Sequence, residues 1–148
     1  MRLLPAIMML FCIELINARD TIPDIILKGH QYTVYCIDIS KDNKYLVSGG
    51  WDNSVKLWDY KNAKEIKSFD YHKDMIRCLK FSNDNSMIAS VSEDNSVRIW
   101  DVKTAQQIWK YESDSYFLSC AISPDGKYLA AFSRDETIKI WDLNRILN

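Results

Sequence analysis

Three side chains that could form a nucleophilic catalytic set, a histidine, a serine and an aspartate, occur twice in this chain. They are His30, Ser48 and Asp52, followed by His72, Ser90 and Asp94. In serine hydrolases such residues supply the general base, the nucleophile and the carboxylate that orients the base. The second set follows the first at a constant offset of 42 residues. Catalysis requires one exposed nucleophile beside an oxyanion site and does not require it twice, so the duplication favours a structural role.

The offset belongs to a repeat that extends beyond these residues. Trp58-Asp59, Trp100-Asp101 and Trp141-Asp142 are 42 and then 41 residues apart. The segments that begin at Val34, Ile76 and Phe117, each 24 residues before its Trp, align without a gap. A fixed period of this length indicates one structural unit that is repeated three times.

Each unit has the pattern of β-strands joined by tight turns. Asp42-Asn43, Asp84-Asn85 and Asp125-Gly126 are turn signals at the same place in each copy, because Asn and Gly tolerate positive φ. Alternating runs that end in the Trp place Lys56, Arg98 and Lys139 on one face and apolar residues on the other. Weaker segments at 65–69 and 106–110 predict a fourth strand, so each repeat is expected to be a four-stranded antiparallel sheet.

These features resemble the WD40 repeat family, whose pattern runs from a Gly-His, through an apolar strand and an SPDG-like turn, to a closing Trp-Asp. The resemblance covers about residues 27–148 and implies an all-β fold of β-propeller blades. It also implies that the Trp, Ser, His and Asp of a repeat form a buried hydrogen-bonded structural tetrad. The expected members are His30, Ser48, Asp52 and Trp58, then His72, Ser90, Asp94 and Trp100, and in the third repeat only Asp135 and Trp141.

The third repeat lacks two tetrad members. Ala131 replaces the serine, and Ser113 replaces the histidine. We therefore expect this repeat to be the least rigid of the three, with the Trp141 N–H relying on Asp135 or on water for a hydrogen-bond acceptor.

The family's usual contact surface is the narrow end of the propeller. It is formed by the residues that flank the first apolar position of the inner strand, which is the first strand of each repeat, and by the residue before the tetrad Asp. The resemblance implies that the residues at these positions bind partners. The predicted partner-binding residues are Thr33, Tyr35, Trp51, Met75, Arg77, Glu93, Tyr116, Leu118 and Arg134. Several of them are Trp, Tyr or Arg, which often dominate binding energy. Trp51, in a Gly-Gly-Trp-Asp turn, is either an anchor for a partner or a residue that packs on a neighbouring loop.

Composition and motifs disfavour several other classes of function. The net charge is -1 and no basic cluster is present, which disfavours nucleic-acid binding. Cys36, Cys78 and Cys120 recur once per repeat, so we interpret them as buried free thiols and expect neither a metal site nor a cofactor. No phosphate-binding glycine loop or unduplicated triad is present, so an enzyme is the less favoured class.

Residues 1–23 lie outside the repeats, which occupy 24–148 in units of about 27–69, 70–111 and 112–148. The apolar run after Arg2 is too short for a stable membrane span. It is a secretory signal cut near Ala18, a buried cap, or a consequence of where the chain is taken to begin. The expected location is cytoplasmic, with secretion as the alternative.

Three repeats are fewer than the four to eight blades typical of propellers. We therefore expect a fragment or subunit of a larger assembly, completed by self-association or by another propeller-forming chain. The expected function is a non-catalytic scaffold or adaptor that binds proteins or peptides. The alternative is a substrate-recognition module of a multi-subunit complex such as a ubiquitin ligase.

Overall fold

The computed structural model describes residues 23–147, in which eleven β-strands form three antiparallel sheets. The first sheet contains β1 (Val34–Ile39), β2 (Leu46–Gly50), β3 (Val55–Asp59) and β4 (Lys64–Phe69). The second contains β5 (Ile76–Phe81), β6 (Met87–Ser92), β7 (Ser96–Asp101) and β8 (Gln107–Glu112). The third contains β9 (Phe117–Ile122), β10 (Tyr128–Ser133) and β11 (Ile138–Asp142). In each sheet, strands that are consecutive in the chain are hydrogen-bonded neighbours.

The all-β fold and the blade-like sheets confirm the predicted fold class. The third sheet differs from the prediction because it has three strands, not four, within the described residues. A short helix, α1 (Leu143–Ile146), follows β11 at the position where the other two sheets lead into their fourth strands. Asp142 caps this helix, since its side chain accepts a hydrogen bond from the Asn144 N–H.

The hairpin turns form where the sequence predicts them, and their backbone requires the residues found there. Asn43, Asn85 and Gly126 have φ values of 56°, 60° and 72°. Asn and Gly adopt this left-handed region at low cost. Each turn is also closed by a serine that donates to the turn aspartate, as in the 2.7 Å bond from Ser40 Oγ to Asp42.

The sheets pack face to face through two apolar layers. Val47, Val55, Leu57 and Phe69 of the first sheet contact Ile76, Leu79, Phe81, Ile88 and Trp100 of the second. Ala89, Val91, Val97 and Ile99 of the second sheet contact Phe117, Cys120, Leu129 and Ala131 of the third. The second sheet is therefore covered on both faces, whereas the first and third each have one face that no described sheet covers.

Two predictions concern residues that the structure does not describe. The signal or cap interpretation of residues 1–18 lies outside the described residues, as does most of the proposed 1–23 segment. Between residues 23 and 147, no helix is both long and apolar enough to cross a bilayer.

Candidate functional site

The structure brings the four predicted tetrad side chains of the first repeat into one hydrogen-bonded chain. His30 Nδ1 lies 2.8 Å from Asp52 Oδ2, and His30 Nε2 lies 2.6 Å from Ser48 Oγ. Trp58 Nε1 donates to the same Ser48 Oγ over 2.7 Å. This series of hydrogen bonds links the segment before β1, strand β2, the turn after β2 and the end of β3. It therefore joins parts of the sheet that are distant in sequence.

The second repeat reproduces this geometry with deeper burial. His72 Nδ1 lies 2.9 Å from Asp94 Oδ2, and Ser90 Oγ lies 2.7 Å from His72 Nε2 and 2.8 Å from Trp100 Nε1. Arg98 is also buried, and its guanidinium lies 3.5 Å from the Asp94 carboxylate. Arg98 therefore adds a cationic fifth member to this tetrad.

Electrostatics fix the direction of the hydrogen bonds in the second repeat. Burial lowers the pKa of His72, because a charged imidazole is penalised there. Burial acts to raise the pKa of Asp94, but hydrogen bonds from His72 and Ser96 outweigh it and keep that pKa below its usual range. The carboxylate can only accept, so His72 Nδ1–H donates to Asp94, the Ser90 hydroxyl donates to Nε2, and the Trp100 N–H donates to Ser90.

This arrangement occupies the serine hydroxyl from both sides. Ser48 and Ser90 are buried, and each hydroxyl oxygen lies against an indole N–H. A nucleophilic serine must instead present its oxygen to a substrate carbonyl next to oxyanion-stabilising donors. The geometry favours stabilisation of the sheet over nucleophilic chemistry.

In the third repeat, the two remaining tetrad members, Asp135 and Trp141, are not hydrogen-bonded to each other. Asp135 accepts from Lys139 Nζ at 2.7 Å and from Thr137 Oγ1 at 2.6 Å, and these bonds hold its pKa below the usual range. Asp135 is one of the two acceptors expected for the Trp141 N–H, the other being water, and its carboxylate is bonded to Lys139 and Thr137. Lys139 therefore donates to the tetrad Asp of this repeat, as the imidazole does in the other two.

The predicted partner-binding residues cluster in pairs at the end of the sheets that carries these loops. The residue before each tetrad Asp donates its backbone N–H to the residue before the inner strand. The bonds are Trp51 to Thr33 at 2.9 Å, Glu93 to Met75 at 3.0 Å and Arg134 to Tyr116 at 3.0 Å. The same backbone bond in all three repeats gives this end of the sheets a regular arrangement.

Aromatic and charged side chains connect the first two repeats across this end. The Trp51 ring is 54% exposed and its centroid lies 6.5 Å from that of Tyr32. The Arg77 guanidinium lies 5.3 Å from the centroid of the exposed Tyr35 ring, and Arg77 Nε donates to Glu93 at 2.6 Å. Tyr35 and Arg77 come from different sheets, so this contact spans a blade boundary.

The third repeat supplies a second arginine and tyrosine pair. The Arg134 guanidinium stacks over the Tyr116 ring at 5.3 Å and donates to Tyr116 Oη at 3.0 Å. Thr33 is exposed, while Met75 and Leu118 are half-buried. None of the predicted partner-binding residues is buried, and all of them lie within the described part of the chain.

Two sets of residues at these sites were not singled out from the sequence. Tyr32 enlarges the exposed aromatic surface beside Trp51, and its only sequence signal is a second aromatic residue close to Tyr35. Ser54, Ser96 and Thr137 donate to the tetrad aspartates over 2.8, 2.6 and 2.6 Å. The recurrence of a hydroxyl two residues after each Asp was the signal that could have identified them.

The repeated cysteines are less uniformly buried than predicted. Cys36, Cys78 and Cys120 are all free, but only Cys120 is buried, and the other two are half-buried. Burial raises the pKa of Cys36 to about 12, whereas a hydrogen bond from the Cys120 thiol lowers that of Cys78 to about 6. Among the described residues, no group of three or more His, Cys, Asp or Glu side chains is arranged to hold a metal ion.

Comparison with known proteins agrees with this geometry. The family model described as WD domain, G-beta repeat matches residues 23–59, 63–101 and 106–142, which are most of the chain. The protein therefore belongs to the WD40 repeat family, and the predicted resemblance is confirmed.

Several curated proteins are similar to parts of the chain. WD repeat-containing protein 88 of Homo sapiens is 45% identical over 108 residues, which are 72% of this chain and 23% of the relative. Transcription factor unc-37 of Caenorhabditis elegans is 49% identical over 45 residues, which are 30% of this chain and 7% of that protein. Ribosome assembly protein 4 of Saccharomyces cerevisiae is 41% identical over 51 residues, covering 34% of this chain and 10% of the relative. The matched part of the chain thus spans less than a quarter of the length of these relatives.

Family membership supports a general role in protein interaction. WD40 repeats generally act as scaffolds for other proteins, and the family model matches three repeats of this chain. Neither the family nor these relatives point to an enzymatic activity for the chain.

Proposed function

We propose that this chain is a non-catalytic protein-interaction scaffold that binds a protein or peptide at the narrow end of its sheets. The observation that supports the proposal is the exposed surface formed by Trp51, Tyr32 and Tyr35 beside Arg77. These residue types dominate binding energy at known interfaces, where rigid aromatic rings bury a large area at a small entropic cost. The Arg134 and Tyr116 pair extends the surface to the third repeat.

Trp51 is the anchor that we propose for this surface. Its ring lies beside that of Tyr32, and more than half of its area remains accessible to a partner. If Trp51 merely packed on a neighbouring loop, its truncation would lower the stability of the chain. If Trp51 is an anchor, its truncation lowers the affinity for the partner instead, because the area that it buries is buried only in the complex.

Partner capture followed by measurement of affinity tests the proposal. A protein captured by the wild-type chain would be identified by mass spectrometry and titrated by calorimetry. We expect Trp51→Ala to weaken binding by about 2 kcal/mol or more, which is roughly 30-fold in the dissociation constant. Its melting temperature should stay close to that of the wild-type chain.

Tyr60→Ala is the matched control for this experiment. Tyr60 follows β3 whereas Trp51 precedes it, so the two side chains lie at opposite ends of a strand that is roughly 17 Å long. Tyr60→Ala should leave affinity unchanged. Equal losses of affinity in both variants, or a large loss of stability in Trp51→Ala alone, would contradict the proposed anchor.

We further propose that the three sheets function within a larger propeller assembly, completed by a second copy or by another propeller-forming chain. The uncovered faces of the first and third sheets support this part of the proposal, since exposed apolar sheet faces favour association.

A recognition subunit of a multi-subunit complex, such as a ubiquitin ligase, would use the same narrow-end surface with an attached recruiting domain. Cys36, Cys78 and Cys120 are free in the described part of the chain, and this supports a cytoplasmic location, because reducing compartments disfavour disulfides.

A further inference from the structure

Two apolar faces of the described sheets, one on the first sheet and one on the third, are uncovered. Their repeat equivalents are buried where neighbouring sheets pack against each other inside the chain. On the first sheet, Val34, Ile37 and Ile39 are 43%, 59% and 47% exposed. Their repeat equivalents on the second sheet, Ile76, Leu79 and Phe81, are 0%, 1% and 8% exposed, because the first sheet covers them. We call Val34, Ile37 and Ile39 the leading face.

The third sheet presents the opposite kind of face. Phe132, Ile138 and Ile140 are 41%, 69% and 67% exposed. Their equivalents on the second sheet, Val91, Val97 and Ile99, are at most 2% exposed because the third sheet covers them. We call Phe132, Ile138 and Ile140 the trailing face. Inside the chain, a trailing face always packs on the leading face of the next sheet.

Strand pairing is incomplete at the same two places. Within the described residues, β11 pairs only with β10, so its other edge is open. Residues 24–28 are in no described strand, and Ile25 and Ile26 are exposed. This segment precedes His30 as β4 precedes His72, so Leu27 corresponds to Phe69 and Ile25 to Lys67. Segment 24–28 is therefore the repeat equivalent of a fourth strand.

The segment lies too far from β11 to complete the third sheet of its own chain. The adjoining Gly29 is against the Trp58 ring of the first sheet, where an added Cβ would come within 2.7 Å of the indole. The third sheet is two sheet spacings away, which is roughly 20 Å. Among the described residues of one chain, only β10 therefore lies in position to pair with β11.

The side-chain sizes at the two open faces match each other. In the first interface, Gly49 lies against Ile76 so closely that an added Cβ would come within 2.7 Å of it. In the second interface the equivalent residues are Val91 and Phe117, which belong to the same buried cluster. At the open faces the equivalent residues are Phe132 on the trailing face and Val34 on the leading face. Their contact would again pair a Val with a Phe, but here the Phe lies on the trailing face and the Val on the leading face.

We infer that a second copy of this chain closes both open faces, with residues 24–28 of each copy pairing with β11 of the other. The inference rests on the proposed assembly and names its partner. The register follows from the internal ladders, in which Val55 pairs with Phe69 and Val97 with Tyr111. Ile138 therefore pairs with Leu27 of the other copy, and two identical joints close a ring of six sheets, within the range of known propellers.

The mass of the full 148-residue chain in solution is the first test. Sedimentation equilibrium should give twice the 17.3 kDa chain mass. Ile138→Lys should raise the dissociation constant of the dimer by roughly a hundredfold or more, since each joint would bury an uncompensated ammonium. Ile66→Lys is the matched control, because Ile66 is an exposed isoleucine of β4 outside both faces, and it should stay dimeric. A single-chain mass for the wild type, or a dimer that tolerates Ile138→Lys, would overturn the inference.

Cross-linking between two single variants gives an independent readout if Ile138→Lys fails to fold. Leu27→Cys and Ile138→Cys, mixed and mildly oxidised, should form a disulfide between different chains. A mixture of Ile26→Cys and Ile138→Cys should not, because adjacent strand residues point to opposite faces. No cross-link in the first mixture, or equal cross-linking in both, would overturn the proposed register.

These outcomes are separable from those of the narrow-end proposal. Trp51 lies outside the leading and trailing faces. A monomeric wild-type chain whose partner affinity depends on Trp51 would overturn the second copy and uphold the scaffold. A dimeric chain with no Trp51-dependent partner would do the reverse.

Discussion

Ser90→Ala removes the central atom of the more deeply buried tetrad, and the structure fixes what the substitution leaves behind. Ser90 is fully buried, and its hydroxyl lies 2.7 Å from His72 Nε2 and 2.8 Å from Trp100 Nε1. Alanine fits the same volume, so no backbone movement is required. The indole N–H loses its acceptor and the imidazole nitrogen loses its donor, and both are shielded from water.

The magnitude follows from the cost of leaving buried polar groups unpaired. Each such group costs about 1–3 kcal/mol. Two groups give about 2–6 kcal/mol, and removal of the buried hydroxyl itself recovers part of this cost. We therefore expect Ser90→Ala to lower the free energy of unfolding by about 3 kcal/mol, a large part of the total stability of a domain.

Urea unfolding monitored by far-UV circular dichroism measures this change. The midpoint should fall and the slope should stay constant, because the native packing is preserved. Ser119→Ala is the matched control, since Ser119 is an exposed strand residue whose hydroxyl makes only a long 3.9 Å contact with Cys78 Sγ. It should change stability by less than about 0.5 kcal/mol. Equal effects of the two substitutions would refute the structural role of the tetrad.

Three further predictions concern the third repeat, His72 and the thiols. Amide hydrogen exchange should be fastest in the third sheet, and equal protection of all three sheets would contradict this. Because burial lowers the pKa of His72 below its usual 6.5, the unfolded chain binds more protons there, so the free energy of unfolding should fall as pH drops below about 6.5. Thermal scans across that range should show a flatter slope for His72→Gln, and an unchanged slope would refute the assignment. At neutral pH, iodoacetamide should alkylate Cys78 before Cys36, as judged by peptide mass spectrometry, because the pKa of Cys78 is lowered to about 6 whereas that of Cys36 is raised to about 12. Faster modification of Cys36 would contradict the assignment.

The fold could be predicted from the sequence because its information is repeated. Alternation of apolar residues and a turn signal at the same place in three copies indicate the same strands three times, and tertiary context rarely overrides such agreement. Whether the outer edge of β11 is paired depends on contacts between segments that are distant in sequence. The local sequence pattern cannot specify such contacts.

The tetrad members could be identified, but their depth and charge could not. Lys56, Arg98 and Lys139 occupy equivalent positions, and alternation places all three on the polar face. The structure buries Arg98 within the second sheet, where Asp94, Ser96 and Gln107 bind its guanidinium. Lys56 instead pairs with Glu65 at 3.0 Å. A buried guanidinium is tolerated only where acceptors surround it, and that depends on several side chains together.

The third repeat shows how packing replaces part of the lost hydrogen bonding. Trp141 contacts Trp109 and Tyr111 of the second sheet, with ring centroids 5.5 and 5.1 Å away. Such aromatic pairs contribute about 0.5–1.5 kcal/mol each, similar to one net hydrogen bond. They hold the Trp141 ring against the neighbouring sheet, but they do not tie the segment at Ser113 to the turn at Asp135. The extra mobility of this repeat should therefore be concentrated in that segment and turn, while the strand amides near Trp141 keep much of their protection.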